Sequence, residues 1–260
     1  MTLTRRRLLI GALLIALLAG AVAGVPRLLR LLPLVTEDNT GAERVVLLHG
    51  LGRTERAMLL LEGELVAAGY EVHSLGYPSR EQSPEELLAG LTPQITACCE
   101  LEARTIHFVG HSMGGLMIRA YLAEFRPPQL GRVVLIGTPN GGSELADVER
   151  HGAVTGYLLE RAGPSALALG TGEDDFPARL PPPDYPVGVI AGTRGTALGD
   201  TFLPVPNDGM VSVESTRLEG MADFMTLDAT HWGLRNDARV ADAVVSFLRT
   251  GRFGSGPPES

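Results

Sequence analysis

Five residues constrain this chain more than any others: Gly110-His111-Ser112-Met113-Gly114. They directly follow an apolar run at 105–109. They directly open a stretch of helical periodicity at 112–125, which Pro127-Pro128 stops. A G-x-S-x-G pattern between a strand and a helix implies a sharp turn. Small residues two before and two after the serine let the backbone close that turn and lift the hydroxyl clear. The adjoining helix N-terminus favours negative charge beside Ser112. The pattern alone is weak, since 32 glycines would supply roughly 0.2 matches by chance. Its place between strand and helix is what gives it meaning.

The rest of the chain supplies a frame for that turn. Runs at 45–48, 105–109, 132–136, 187–191 and 224–227, and Glu71 to Leu75 closed by Gly76-Tyr77-Pro78, read as strands. Helical patterns at 55–68, 84–101, 112–125 and 237–248 separate them. Strands alternating with helices predict an α/β fold: a mostly parallel central sheet with helices on both faces. The rhythm breaks between about 143 and 185, where Gly163-Pro164, Gly170 to Gly172 and Pro181-Pro182-Pro183 fall. This reads as a lid-like insertion in the domain, or else a surface excursion. Its Leu145, Val148, Val154, Leu158 and Leu159 could offer an apolar face to a ligand.

A serine needs a base to act as a nucleophile near neutral pH. There is no lysine among the 22 basic residues, so the base is sought among six histidines. In folds built on such an elbow, the acid and then the base follow the serine along the chain. His231, in Thr230-His231-Trp232-Gly233, alone lies on a loop after the last strand. His111 sits within the elbow and is expected to point away from the serine oxygen. His49, His73 and His107 belong to strands or strand ends, and His151 to the insertion. Asp200, Asp208, Asp223 and Asp228 qualify by order as the acid. Asp208 is preferred because Asn207-Asp208-Gly209 forms a turn before an apolar stretch; Asp200 and Asp228 remain alternatives. The carboxylate would fix the imidazole tautomer. For an oxyanion, the backbone N–H groups of Met113 and of Leu51, in His49-Gly50-Leu51-Gly52, are the expected donors.

Leu48-His49-Gly50-Leu51-Gly52, Gly110-His111-Ser112-Met113-Gly114-Gly115, Gly137-Thr138-Pro139-Asn140-Gly141-Gly142-Ser143, Asn207-Asp208-Gly209 and Thr230-His231 together resemble bacterial lipases and esterases of the α/β-hydrolase superfamily. The resemblance runs from about 44 to 248. It implies the α/β-hydrolase fold, a serine hydrolase cleaving carboxylic esters through an acyl-enzyme, often on lipid substrates, and no cofactor. Some such lipases bind structural calcium, but no clear acidic pair for one stands out. A thioesterase, amidase or acyltransferase on the same triad is the alternative, as is a binding protein that kept the fold without catalysis.

The N-terminus adds an address. Arg5-Arg6-Arg7 precede an uncharged run from Leu8 to Val25, ended by Pro26. Eighteen residues is the lower limit for a membrane span and also suits an export signal. Thr4 to Leu9 is similar to a twin-arginine signal. Arg27-Leu28-Leu29-Arg30-Leu31-Leu32 is a short amphipathic stretch fit for a membrane surface. The expected organisation is a signal-anchor or export segment at 1–35, a linker at 36–43, a catalytic domain at 44–250 and a disordered tail at 251–260. The net charge is −8, and removing the five arginines of residues 1–30 leaves −13 on the remainder. An acidic body argues against nucleic acid as a partner. Cys98 and Cys99 are adjacent, which ill suits a disulfide, and are expected to pack within a helix. The positive-inside bias sends the domain across a bacterial inner membrane. A C-terminally tagged chain should therefore be open to external protease in spheroplasts, either membrane-bound or cleaved near Val22 to Gly24. A tag in the soluble cytoplasm would overturn that topology.

Overall fold

The computed structural model describes residues 42–100, 105–151, 163–197 and 199–254. The expected segment at 1–35 and most of the linker lie outside these residues. All the described residues belong to one compact unit, Asn39–Ser260.

Short runs bounded by turn residues form six strands: β1 (Arg44–Leu48), β2 (Glu71–Leu75), β3 (Ile106–His111), β4 (Leu130–Ile136), β5 (Val187–Gly192) and β6 (Asp223–Leu227). They make one all-parallel sheet in the order β2-β1-β3-β4-β5-β6. Parallel pairing requires crossovers; α1 (Leu59–Ala67), α2 (Pro84–Glu100) and α3 (Met113–Glu124) lie in the first three, and the last helix, Ala238–Thr250, follows β6 and packs back on the sheet. Short helices fill the remainder: α4 (Glu144–His151), α5 (Pro164–Leu167), α6 (Gly199–Phe202), α7 (Val213–Thr216) and α8 (His231–Leu234). The last helix is therefore α9.

The inner strands are largely apolar because both sheet faces are covered, whereas the edge strands β2 and β6 mix polar and apolar residues and are only half-buried. Val46, Leu48, Phe108, Leu135 and Val189 point to the side carrying α2 and α3. Val45, Leu47, Val109, Val134 and Ile190 point to the side carrying α1 and α9. Each buried side chain of this size contributes about 1.5–3 kcal/mol, so the two layers together hold the sheet fixed. α9 has its expected stops: the Asp237 carboxylate accepts from Arg239 N, and Gly251 closes the helix at φ 78°. Cys98 packs in the core from α2, and both cysteines are free thiols, as expected.

Three differences from the sequence expectations have physical causes. The helix expected over 55–68 begins as a 3₁₀ turn, Glu55–Met58, before α1. The tail does not start at 251: the Phe253 ring packs against Phe247 with centroids 5.0 Å apart, and its N–H donates to the Asp223 carboxylate at 2.8 Å. An aromatic with an apolar partner docks rather than frays; residues 255–260 lie outside the described ones. Within the insertion, α4 and α5 supply local order. Val154, Leu158 and Leu159 lie outside the described residues.

One buried cation braces this part of the fold. Arg119, on α3, donates to Asn140 Oδ1 at 3.1 Å and to the carbonyls of Leu180 and Pro181. Burial pulls its guanidinium down to about 10. It joins the nucleophile-side helix to the end of the insertion.

His49, His107 and His111 are buried in the sheet, and desolvation lowers the pKa of each. The folded state therefore excludes protons that the unfolded chain takes up below about pH 6.5. Stability should be full above that pH and fall below it, by up to about 1.4 kcal/mol per pH unit for each histidine. Urea denaturation at about pH 7.5 and about pH 5.5 measures this; an unchanged unfolding free energy would contradict it.

Candidate active site

The chemistry collects at the C-terminal edge of the sheet, where strands hand over to loops. Ser112 ends β3 with φ 56° and ψ −127°, the sole non-glycine residue at positive φ among those described. Such strain costs about 1–3 kcal/mol and needs surrounding structure to hold it. Here the Ser112 N–H donates to the Ile136 carbonyl on β4 at 2.8 Å. The elbow glycines are required by closeness: a Cβ on Gly110 would stand 2.5 Å from Gly115 N, and one on Gly114 2.3 Å from the Leu48 carbonyl oxygen. No side chain fits either place.

Ser112 Oγ lies 3.0 Å from His231 Nε2, and His231 Nδ1 lies 2.7 Å from Asp208 Oδ2. Because Nδ1–H donates to a carboxylate, Nε2 is left to accept from the serine hydroxyl. Asp208 is 1% exposed, yet it is fully engaged. Its Oδ1 accepts from the N–H groups of Met210 at 2.9 Å and Val211 at 2.8 Å. The loop partners match as well: His231 N donates to the Asp208 carbonyl at 2.8 Å. The three residues chosen in sequence thus meet in space. The alternatives do not join them. Asp200 accepts from Asn207 Nδ2 at 3.0 Å and braces the Asp208 turn. Asp228 pairs with Arg194 at 2.6 Å in solvent, and Asp223 serves Phe253.

The loop after β1 is fixed from the side. Tyr77 stacks on His49 at 4.2 Å, its N–H donates to His49 Nε2, and its hydroxyl donates to the His49 carbonyl. Gly52 N donates to Ser79 Oγ at 2.8 Å. Gly50 packs so near Ser112 that a Cβ would sit 2.9 Å from the serine Cβ. Leu51 then lines the same cavity as Ser112, and its N–H has no partner among the described residues. Met113 is the first residue of α3, where an N–H has no intrahelical acceptor. Both expected donors therefore stand beside the serine with N–H groups available.

The cavity at Ser112 measures about 270 Å³ and is lined by Leu51, Leu145, Leu169, Met210, Val211 and Trp232, among others. The described part of the insertion thus forms one wall. A larger groove of about 770 Å³ between α2 and α3 contains no part of this constellation. Among the described residues no cluster of three or more His, Cys, Asp or Glu could hold a metal ion, and no helix is long and apolar enough to cross a membrane.

Sequence reasoning missed the part played by His111. Its ring does turn away from the serine oxygen, as expected, but it turns toward His231. His111 Nε2–H donates to the His231 carbonyl at 2.9 Å, and the two rings lie 4.9 Å apart. A carbonyl only accepts, so the proton is on Nε2. Burial, with the charge of His231 beside it, holds the His111 pKa well below the usual value, so the ring stays neutral. Only the fold brings residues 111 and 231 together; nothing local in the sequence could reveal the pair.

Comparison with known proteins follows the same outline. The palmitoyl protein thioesterase family profile matches residues 44–161. A triacylglycerol lipase of Burkholderia plantarii is 32% identical over 127 residues, covering 44% of this chain and 34% of the lipase. One from Pseudarthrobacter phenanthrenivorans is 32% identical over 115 residues, covering 40% and 35%. The chain thus spans about a third of the length of these relatives. In structure, Bacillus licheniformis lipase BlEst2 in its mature form superposes with a TM-score of 0.62 at 19% identity, over 85% of this chain and 96% of that one. The metagenomic carboxyl esterase MGS0156 gives 0.55 at 19% identity, over 76% and 67%.

If His111 holds His231 in place, its replacement should slow the reaction of Ser112 with a fluorophosphonate. His111→Phe should react about tenfold more slowly, the loss of one buried hydrogen bond. His111→Gln keeps a donor and should recover much of the rate. Equal rates for His111→Phe and the parent would show the contact to be idle.

Proposed function

We propose that this chain, a lipase- and esterase-like α/β-hydrolase, cleaves carboxylic esters through an acyl-enzyme on Ser112. The observation that carries the reading is the unbroken hydrogen-bonded line Ser112–His231–Asp208 opening onto a cavity. In the first step Ser112 Oγ attacks the ester carbonyl carbon while its proton passes to His231 Nε2. The carbonyl oxygen becomes an anion and accepts from the N–H groups of Leu51 and Met113; one such donor is worth about 10²–10³ in rate. Asp208 stabilises the imidazolium without taking its proton. The C–O bond then breaks, and the leaving alcohol takes the proton from His231. Water, giving a proton to the same nitrogen, attacks the acyl carbon; the acyl bond to Ser112 Oγ breaks, Oγ takes that proton from His231, and the acid is released.

The apolar wall of Leu145, Ala146, Ala166, Leu169 and Met210 suits the acyl side. A volume of about 270 Å³ is below the usual range for ligand pockets, about 300–1,000 Å³, so this wall holds only part of a long chain. The insertion covers the site, and the segment at 1–35 keeps the domain at the outer side of the membrane, beside lipid substrates. A second reading, hydrolysis of acyl thioesters, draws on the thioesterase family match and needs no change in the steps.

Ser112→Ala should lose fluorophosphonate labelling and reduce ester turnover by about 10⁴-fold or more, while thermal unfolding stays near the parent's. Oxoesters and thioesters of the same acids, compared on the purified chain, separate the two readings. Comparable turnover by Ser112→Ala and the parent would refute both.

A further inference from the structure

The mouth of the Ser112 cavity carries a charge pattern that ester hydrolysis does not require. In a body with a large excess of acids, two arginines line this cavity and a third stands near them, and none pairs with a carboxylate among the described residues. Arg53 and Arg80 line the cavity with Ser112. Arg80 lies flat against the loop after β1: a Cβ on Gly52 would stand 2.5 Å from its Nε and 2.8 Å from one amino nitrogen. That puts the guanidinium against Gly52, next in the chain to Leu51. The chain around Arg80 is seated firmly. Gly163 packs on the Arg80 carbonyl, and Ser165 Oγ donates to the neighbouring Gln82 carbonyl at 2.8 Å.

Arg235 stands behind them, one residue past α8. Its Nε and Nη1 are buried without a hydrogen-bond partner. Burial first, and the charge of Arg53 second, lower its pKa. None of the three arginines forms an ion pair or side-chain hydrogen bond among the described residues. Two carboxylates of the site are engaged with other groups: Asp208 serves His231, and Glu144 accepts from Ser212 through Oε1. Arg53 and Arg80 are exposed and Arg235 is half-buried, so an arriving anion reaches all three with its counter-charge.

Building on the ester-hydrolase reading, we propose that Arg53 and Arg80 are specificity-determining residues that bind a phosphate group on the alcohol part of the substrate, with Arg235 adding to their field. The division of the cavity sets the orientation. Leu145, Leu169 and Met210 face the acyl chain, and the arginine rim faces the alcohol. Guanidinium forks match phosphate oxygens in pairs. The reaction is plain hydrolysis. The ester C–O bond breaks, the released oxygen takes the proton from His231, and the phosphate leaves on the alcohol unchanged. The phosphate can belong to a lipid headgroup or to a small phosphorylated alcohol.

The test compares matched esters on the full-length chain: dodecanoylglycerol against its 3-phosphate, and butanoylglycerol against its 3-phosphate. The ratio of kcat/KM, phosphate over neutral, should be about 10–100, the worth of one or two charge-assisted contacts at a partly solvated rim. A preference in the dodecanoyl pair alone supports a lipid headgroup as the source, and one in both pairs supports a soluble anionic alcohol. The double change Arg53→Gln, Arg80→Gln should bring the ratio close to one. Because it is a ratio, partial loss of folded protein does not move it. A parent that treats both members of each pair alike, or a preference that survives the double change, overturns the proposal while leaving ester hydrolysis intact. Failure to turn over any ester or to label with fluorophosphonate brings down the underlying reading as well.

Discussion

One strained residue organises this molecule. Ser112 holds a backbone conformation that an L side chain avoids, and it does so because β4 takes its N–H and because Gly110 and Gly114 leave no atoms in the way. Without the buried sheet the turn would relax, at a gain of about 1–3 kcal/mol. The two apolar layers supply far more than that. The parallel sheet therefore does more than shelter a site. It is the spring that keeps one hydroxyl raised above the sheet edge, within reach of a histidine 119 positions further along the chain.

The same edge explains why the constellation can be assembled from distant segments. All strands run in one direction, so every loop following a strand emerges on one side. The loop after β1 brings Leu51, that after β3 Ser112, that after β5 Asp208, and that after β6 His231. Each is then fixed by a partner outside the reacting group. Tyr77 and Ser79 hold the first loop, Met210 and Val211 N–H groups hold Asp208, and His111 holds the His231 loop. Preorganisation of this kind lets donors meet developing charge without reorganising first.

Much of this was legible in the sequence, for reasons of local physics. Covered parallel strands are largely apolar, so the four inner ones stand out, the edge strands β2 and β6 are marked by the turn residues around them, and the elbow announces itself because its steric demands fall on residues next to the serine. His231 could be reached by elimination. Asp208 was harder: Asp200 and Asp228 fit the order equally well, and only partners distant in sequence, Asn207 apart, separate them. His111 and Arg119 were out of reach, since each acts through a carbonyl whose position depends on the tertiary fold. The arginine rim was hidden for a related reason. Charges at 53, 80 and 235 say nothing until they share a space.

The sheet's other end tells a different story. There Phe253 lies on Phe247 and Gly188, its N–H tied to Asp223, while Arg252 reaches the Ala222 carbonyl. These contacts close the start of β5 and β6, far along the strands from any reacting group. Damage at this end lowers the amount of intact protein in a cell without altering the chemistry of the molecules that survive. Loss of a reacting side chain at the opposite edge, as in Ser112→Ala, silences each molecule with little change in abundance. An inactive natural variant can thus be sorted by which end of the strands it touches, with a quantitative immunoblot before any assay is run.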